Sequence, residues 1–333
     1  NDTQIDAGAL KTLNNKTTGV VNLTAVTSLT GSAADILAAF NAGATDVTGL
    51  SGDEAVIITS SATVADITAL ESKTSAAISA TVTDTVANLL TLTETTNNLT
   101  LEISDNTVKA TDLTLLKAKT PGNIRVATGT VVEGTDTELK AFATDAGVAR
   151  IDNITNATTS ITGGAYSVDD INLVEAKLDA LTTAWTTSIK ATVIENDYDE
   201  LNTLARNGAY TIELQRKTPE SAAGAGDNVE HLDASEIITI NGKTTEVLKV
   251  NTSAYIDGST ANIKTVLEAN RVGTTLSGLD AVAVKSPSGG FTVTDANYIE
   301  ARTTGSITAT FTAGALSTFV NPTTNAVLFR SGE

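Results

Sequence analysis

DITALESKT, at residues 66–74, and DLTLLKAKT, at residues 112–120, follow one pattern. Each stretch contains an acidic residue, two aliphatic residues three positions apart, a lysine and a threonine, in that order. Aliphatic residues three apart lie on one face of an α-helix, so both stretches predict a short helix with one buried face. A catalytic motif is normally needed once, whereas a structural unit is needed many times, so the repetition indicates a structural unit.

The pattern occurs six times at intervals of roughly 46 to 66 residues, which indicates an internal repeat. Its copies end at the basic residues Lys16, Lys73, Lys119, Lys177, Lys243 and Arg302. In the copy that ends at Lys73, Thr63 is expected to be the helix N-cap, and Asp66 is expected to lie in the first turn of that helix. The basic residue is expected near the C-terminal end of its own helix, where it complements the helix dipole by about 0.3–1 kcal/mol.

Alternating apolar and polar residues predict strands between these helices. The predicted strands are 55–60, 76–82, 98–104, 123–129, 188–193, 209–215 and 306–311. A second set of helices is predicted at 32–40, 85–92, 135–143, 198–205 and 259–269, with Ser32 and Ser259 as N-caps. Glycine is favoured after a helix, so the expected C-terminal caps are Gly43, Gly147, Gly208 and Gly273.

Strand–helix modules of about 21–30 residues in series predict an α/β fold with parallel strands. A single module cannot bury its apolar face, so neighbouring modules must stack. We expect a parallel-strand solenoid or a row of stacked small α/β layers; six separate domains are the alternative, disfavoured because linkers are few. Residues 1–215 are expected to form a repeat array of about four units, 216–230 a loop or insertion, and 231–333 further repeats.

Composition excludes several classes of protein. The net charge of −18 repels nucleic acid phosphates, so a nucleic-acid partner is not expected. Without an apolar run of about 18 residues, membrane insertion is not expected either. The chain contains no Cys and no Met, which favours an extracellular protein, because thiols and thioethers are oxidised there. The first residue is Asn1 and no signal peptide precedes it, which predicts a mature product or a fragment.

The sequence offers few functional residues. His231 is the only histidine, and we expect it to be an exposed loop residue, with Glu230 and Asp233 as the carboxylates that could pair with it. The acidic stretch 195–200 contains the one candidate calcium site, formed by Glu195, Asp197 and Asp199, although Asp197 also fits a helix N-cap. No nucleotide-binding motif and no nucleophile elbow occurs, so catalysis is not expected.

Phrases such as ALKTLNNKTTGVV (9–21) and GLSGDEAVIIT (49–59) resemble the Thr/Ala/Asp-rich repeat arrays of giant extracellular cell-surface proteins of cyanobacteria. That class includes surface-layer, adhesin-like and motility proteins. The resemblance implies an exported structural protein and supplies no catalytic residue. Many of its members carry a Gly-Gly-x-Gly-x-Asp calcium repeat. Here Tyr166 and Thr292 occupy its fourth position, so that repeat is absent.

Together these observations predict a non-enzymatic extracellular structural repeat protein. It would associate with itself or with like repeats in a surface layer, fibre or adhesin, without a cofactor unless calcium binds. The alternative is a secreted polysaccharide-binding or polysaccharide-cleaving solenoid, with a glycan or a cell surface as its partner. A glycan site would expose aromatic residues beside carboxylates, whereas Phe40, Phe142 and Phe311 fall at positions expected to be in the core.

Overall fold

A computed structural model describes residues 2–42, 46–180, 188–215, 231–251 and 255–311. These residues form an α/β fold in which short strands, mostly parallel, alternate with short helices. Parallel strands require a crossover connection, and here the helices provide it. The chain divides into two compact units: unit 1 comprises Asn1–Ser160 and Ala176–Thr187, and unit 2 comprises Ile161–Glu175 and Ser188–Glu333.

Short helices recur throughout both units. In the described residues they are α1 (Ala7–Asn14), α2 (Ala33–Asn41), α3 (Val64–Glu71), α4 (Val86–Leu89), α5 (Ala110–Leu116), α6 (Asp136–Thr144), α7 (Val168–Asp179), α8 (Tyr198–Leu201), α9 (Ala234–Asn241), α10 (Thr260–Val272) and α11 (Val293–Glu300). Two 3₁₀ turns, Ala146–Arg150 and Ile154–Asn156, follow α6.

The strands are equally short. They are β1 (Gln4–Asp6), β2 (Val21–Asn22), β3 (Ser28–Gly31), β4 (Val47–Thr48), β5 (Ala55–Ala62), β6 (Ile78–Asp84), β7 (Asn98–Ile103), β8 (Thr107–Lys109), β9 (Ile124–Arg125), β10 (Val131–Gly134), β11 (Ile151–Asp152), β12 (Thr158–Tyr166), β13 (Ile189–Val193), β14 (Ala209–Thr211), β15 (Glu213–Leu214), β16 (His231–Asp233), β17 (Leu248–Val250), β18 (Tyr255–Asp257), β19 (Leu276–Ser277), β20 (Ala283–Lys285) and β21 (Ile307–Thr308).

Unit 1 contains a seven-stranded sheet whose strands lie in chain order, β1-β3-β5-β6-β7-β9-β11. The pairs with a defined register are parallel, and one row of the sheet runs Leu29, Val56, Ile78. These three side chains are fully buried and belong to the core under the helices. Two smaller parallel pairs, β2 with β4 and β8 with β10, also lie in unit 1.

Unit 2 also contains parallel sheets, with fewer strands in each sheet. One sheet has the order β16-β18-β20-β21 and a second has the order β15-β17-β19, again in chain order. A further parallel pair joins β13 and β14. Leu232, Ile256 and Val284 lie side by side in the first sheet and are buried, so the apolar residue of each strand points to the core.

The helix predictions are confirmed in position. The six copies of the sequence pattern coincide with α1, α3, α5, α7, α9 and α11, and the second set coincides with α2, α4, α6, α8 and α10. Ile67 and Leu70 are fully buried on one face of α3, as their spacing predicts. Thr63 caps α3 in a reciprocal capping box with Asp66. Helices α4 and α8 are shorter than predicted.

Half of the predicted glycine caps are wrong. Gly273 ends α10 in the left-handed conformation with φ of 70°, as expected of a C-terminal cap. Gly147, however, lies inside the 3₁₀ turn Ala146–Arg150, and Gly208 pairs in a parallel bridge with Thr244. Gly43 falls outside the described residues, whereas Ser32 and Ser259 are N-caps as predicted.

The strand predictions are correct where the alternation is long. β5, β6, β7 and β13 coincide with predicted strands, whereas those at 123–129 and 306–311 shorten to β9 and β21. The stretch 209–215 divides into β14 and β15, because β14 pairs with β13 while β15 pairs with β17 in a different sheet. The predicted insertion at 216–230 lies outside the described residues.

Candidate functional site

The three calcium candidates lie at helix N-termini. Asp197 is the N-cap of α8 and accepts a hydrogen bond from the backbone N–H of Asp199 at 3.0 Å. The Glu195 carboxylate accepts from the backbone N–H of Val168, the first residue of α7, at 2.9 Å. In the parts of the chain that the structure describes, no group of three or more His, Asp or Glu side chains is arranged to hold a metal ion. Calcium binding at Glu195, Asp197 and Asp199 stays a prediction.

His231 is not an exposed loop residue. It begins β16, its side chain is 22% exposed, and its ring stacks on Tyr255 with centroids 5.2 Å apart. Among the described residues, His231 Nε2 lies 3.7 Å from Oδ2 of Asp257. Strand pairing explains this contact, because β16 lies beside β18 and His231 is in register with Tyr255, two residues before Asp257.

The threonine that closes the sequence pattern joins neighbouring strands. In four copies its hydroxyl donates to a backbone carbonyl within about three residues of the start of the strand that pairs with the one it precedes. The bonds are Thr74 to Glu54 O at 2.8 Å, Thr120 to Leu99 O, Thr244 to Tyr210 O and Thr303 to Val282 O, the last three each at 2.6 Å. We call these bonds the threonine connections.

Each of these hydroxyls also holds the turn that follows the helix. Thr74 accepts from the N–H of Ala76 at 3.1 Å, and Thr120 accepts from the N–H of Gly122 at 3.0 Å. The corresponding donors to Thr244 and Thr303 are the N–H groups of Glu246 and Gly305, each at 3.0 Å. The hydroxyl therefore uses both donor and acceptor capacity, as a buried hydroxyl requires.

Two glycines allow this close approach. A Cβ on Gly122 would lie 2.3 Å from the Leu99 carbonyl oxygen, and a Cβ on Gly305 would lie 2.1 Å from the Val282 oxygen. These are the carbonyls that accept from Thr120 and Thr303. A side chain at either glycine would therefore separate the two backbone segments that the threonine connection joins.

In two copies the lysine of the pattern also contacts the segment that follows the preceding helix. Lys73 lies two residues beyond the end of α3, and Lys177 lies in the last turn of α7, so the predicted position near the C-terminal end of the helix is confirmed for both. Where the contact is defined, Lys119 Nζ donates to Leu92 O and Lys243 Nζ donates to Leu204 O, both at 2.8 Å. Each bond reaches a carbonyl shortly after the preceding short helix, α4 or α8.

At the C-terminal ends of the strands, opposite the threonine connections, carboxylates join one strand to the helix that follows its paired strand. Asp84, at the end of β6, accepts from the N–H of Val64, which begins α3 after the paired strand β5, at 3.1 Å. Asp105 accepts in the same way from Val86, the first residue of α4, at 2.6 Å. The Glu195 bond to α7 follows this pattern in unit 2. These caps were not predicted from the sequence. A signal was present, because each of these acidic residues follows a strand and lies about one module after the helix start that it caps.

Hydrogen bonds determine the charge state of Asp84. Burial raises its pKa, but the side-chain amide of Asn88 and the backbone N–H groups of Val64 and Thr85 outweigh burial and lower the pKa below its ordinary value. The ionised form is therefore the one that caps α3.

In the last copy of the pattern, the basic residue Arg302 belongs to an ion-pair network. Glu268 on α10 accepts from Arg302 Nε at 2.7 Å and from the Tyr298 hydroxyl at 3.1 Å, and it also pairs with Arg271. The hydrogen bonds from Arg271 and Arg302 lower the pKa of Glu268 to about 2. The guanidinium of Arg302 lies 3.3 Å from the Tyr298 ring centroid. Beside this network, α10 and α11 border an open groove of about 830 Å³.

Comparison with known proteins gives no relative: no protein-family model, curated protein or solved structure matches this chain. Among the helices of the described residues, none has the length and apolar character needed to cross a bilayer. Functional inference for this protein therefore rests on its own contacts.

Replacing Thr120 by Val tests the threonine connection. The substitution keeps the shape but leaves the Leu99 carbonyl and the Gly122 N–H unpaired where Thr120 is 3% exposed. We expect a loss of about 1–3 kcal/mol in the free energy of unfolding, measured by urea denaturation. Thr100→Val, at a partly exposed position in β7, is the control and should change stability by less than about 0.5 kcal/mol. Equal effects of both substitutions would contradict the assignment.

Stability should fall in acid because Asp84 binds the start of α3 in the ionised form. Asp84 has a folded pKa below its unfolded value of 3.8, so its contribution is complete above that value and is lost as the pH falls through the folded pKa. Asp84→Asn should cost about 0.3–1 kcal/mol at pH 7. The difference from the unmodified chain should shrink towards pH 2 in urea titrations. A difference that does not change with pH would refute the charge-based cap.

Proposed function

We propose that this chain is a non-enzymatic extracellular structural repeat protein whose strand–helix modules continue as a parallel-strand solenoid. The observation that carries the proposal is the recurrence of the threonine connection at Thr74, Thr120, Thr244 and Thr303. The same bond between neighbouring strands is built in both units from the same position of the sequence pattern. A repeated interface of this kind is what stacked modules need, because each module buries its apolar face against its neighbours.

The strand order supports the same proposal. In the seven-stranded sheet each connection moves one position along the sheet, and the partners Gln4, Ser28 and Ala55 advance by roughly one module at each step. The two sheets of unit 2 also keep chain order. Successive modules added at one edge of a sheet are typical of a solenoid.

The recurring polar residues have structural partners, which supports a role without turnover. In two copies the acidic residue completes a capping box, as Asp66 does with Thr63 in α3 and Glu236 does with Asp233 in α9. The threonine joins paired strands, and the lysines at 119 and 243 bind backbone carbonyls. Since these contacts account for the repeated residue types, no repeated residue requires a catalytic explanation.

Self-association follows from the chemistry of the modules. Each one offers backbone donors and acceptors to its neighbour along a parallel strand, and a like module from another molecule has matching groups. The dispersed charge of −18 and the lack of Cys and Met fit an extracellular location. We therefore propose that the protein forms part of a surface layer, fibre or adhesin.

Electron microscopy of the purified chain, combined with sedimentation at increasing concentration, tests this function. We expect filaments or a lattice with a regular repeat, and a sedimentation coefficient that rises with concentration. Samples with calcium and with a chelator determine whether the ion contributes. Isolated particles at every concentration, with and without calcium, would overturn the proposed self-assembly.

A further inference from the structure

The solvent face of the sheet formed by β16, β18 and β20 carries an unusual set of side chains. Strand register places His231 beside Tyr255 and Asp233 beside Asp257. These four residues lie on the face of the sheet opposite the buried Leu232 and Ile256. Lys285 lies at the end of the third strand, β20. We call His231, Asp233, Tyr255, Asp257 and Lys285 the mixed patch.

Contacts hold the mixed patch together. The imidazole of His231 lies nearly parallel to the Tyr255 ring, with an interplanar angle of 6°. Lys285 Nζ lies 5.0 Å from the centroid of the same ring and 3.3 Å from its hydroxyl oxygen. Asp257 Oδ2 is 3.7 Å from His231 Nε2. Two rings, an ammonium group and a carboxylate are therefore gathered on adjacent strands.

The fold does not need this combination. The seven strands of the unit 1 sheet contain no aromatic residue. Their outward positions include Thr30, Ser79, Thr81 and Thr100, which are small and polar and pair in the same kind of parallel ladder. The unit 1 sheet also carries outward charges, such as Arg125 and Asp152, but no rings, so it is the rings on β16 and β18, combined with charges, that require another explanation.

The mixed patch also carries an electrostatic cost. Asp233 and Asp257 lie in register on adjacent strands, where like charges are unfavourable. Asp233 is tied to the start of α9, accepting from the N–H of Ser235 at 2.6 Å. Burial raises the pKa of Asp257, with Asp233 adding to the rise while His231 and Lys285 oppose it. Unfavourable charge placement of this kind is concentrated at functional sites in proteins.

We propose that the mixed patch binds a neutral polysaccharide, an interaction beyond the structural role proposed above. Sugar hydroxyl groups need both acceptors and donors, and here Asp257 and Lys285 provide them side by side. Because His231 and Lys285 cover the Tyr255 ring, the stacked pair of rings would contact the carbon–hydrogen groups of a sugar mainly through the ring edges. Two carboxylates in the mixed patch and a chain charge of −18 disfavour an anionic polysaccharide.

The single histidine gives a direct measurement. Because His231 is the only histidine, its ring carbon–hydrogen groups give isolated signals in proton–carbon NMR spectra. Soluble hexasaccharides of β-1,4-linked glucose, mannose and xylose are titrated into the full chain. We expect a saturable shift of the His231 signal with at least one of them, and an affinity at least about tenfold weaker in Asp257→Asn.

Control variants separate binding from folding. Asp152→Asn removes an outward carboxylate from the unit 1 sheet and should leave the saccharide affinity unchanged. Circular dichroism checks that each variant is folded, and Lys285→Gln replaces Asp257→Asn if the latter does not fold. Absence of a saturable shift with all three saccharides, or equal affinity in the mixed-patch variants and the unmodified chain, overturns the proposal. Filament formation is scored separately, so this result does not depend on self-assembly.

Discussion

The hydrogen bond from a buried threonine to the carbonyl at the start of a neighbouring strand holds successive modules in register. Thr120 illustrates why it matters: its hydroxyl donates to Leu99 O and accepts from the N–H of Gly122, in a region closed to water. Strands as short as β9 have few ladder hydrogen bonds of their own. A side chain that pairs with two backbone groups at the strand entrance compensates for this shortness, since unpaired buried polar groups are costly.

Carboxylates perform the matching task at the other end of the strands. Asp84 and Asp105 each reach from the end of one strand to the helix that follows its neighbour. β6 and β7 are thus each fixed at the entrance by a threonine hydroxyl and at the exit by a carboxylate. The core between them consists of medium-sized side chains such as Leu29, Val56 and Ile78, so polar contacts supply much of the specificity of packing.

Local features of the structure were predictable from sequence, and contacts between modules were not. The helices with Ile67 and Leu70 follow from apolar spacing, and the Thr63 cap follows from a partner only three residues away. The partners of Thr120, Lys119 and Asp84 lie about 20 to 27 residues away, at positions decided by strand register. The sequence prediction for His231 was wrong for the same reason, because its neighbours Tyr255 and Asp257 come from β18, the adjacent strand of the sheet.

The central claim is that each module is stabilised by its neighbours through these registered contacts. Hydrogen exchange of the Leu70→Ala variant tests it most directly, because Leu70 is fully buried in α3, which follows β5, and β5 lies between β3 and β6 in the sheet, with β7 beyond β6. The account predicts faster amide exchange in α3 and β5 and also in β3, β6 and β7, with little change in Leu115→Ala, whose side chain is 55% exposed. Faster exchange limited to β5 and α3 would contradict it.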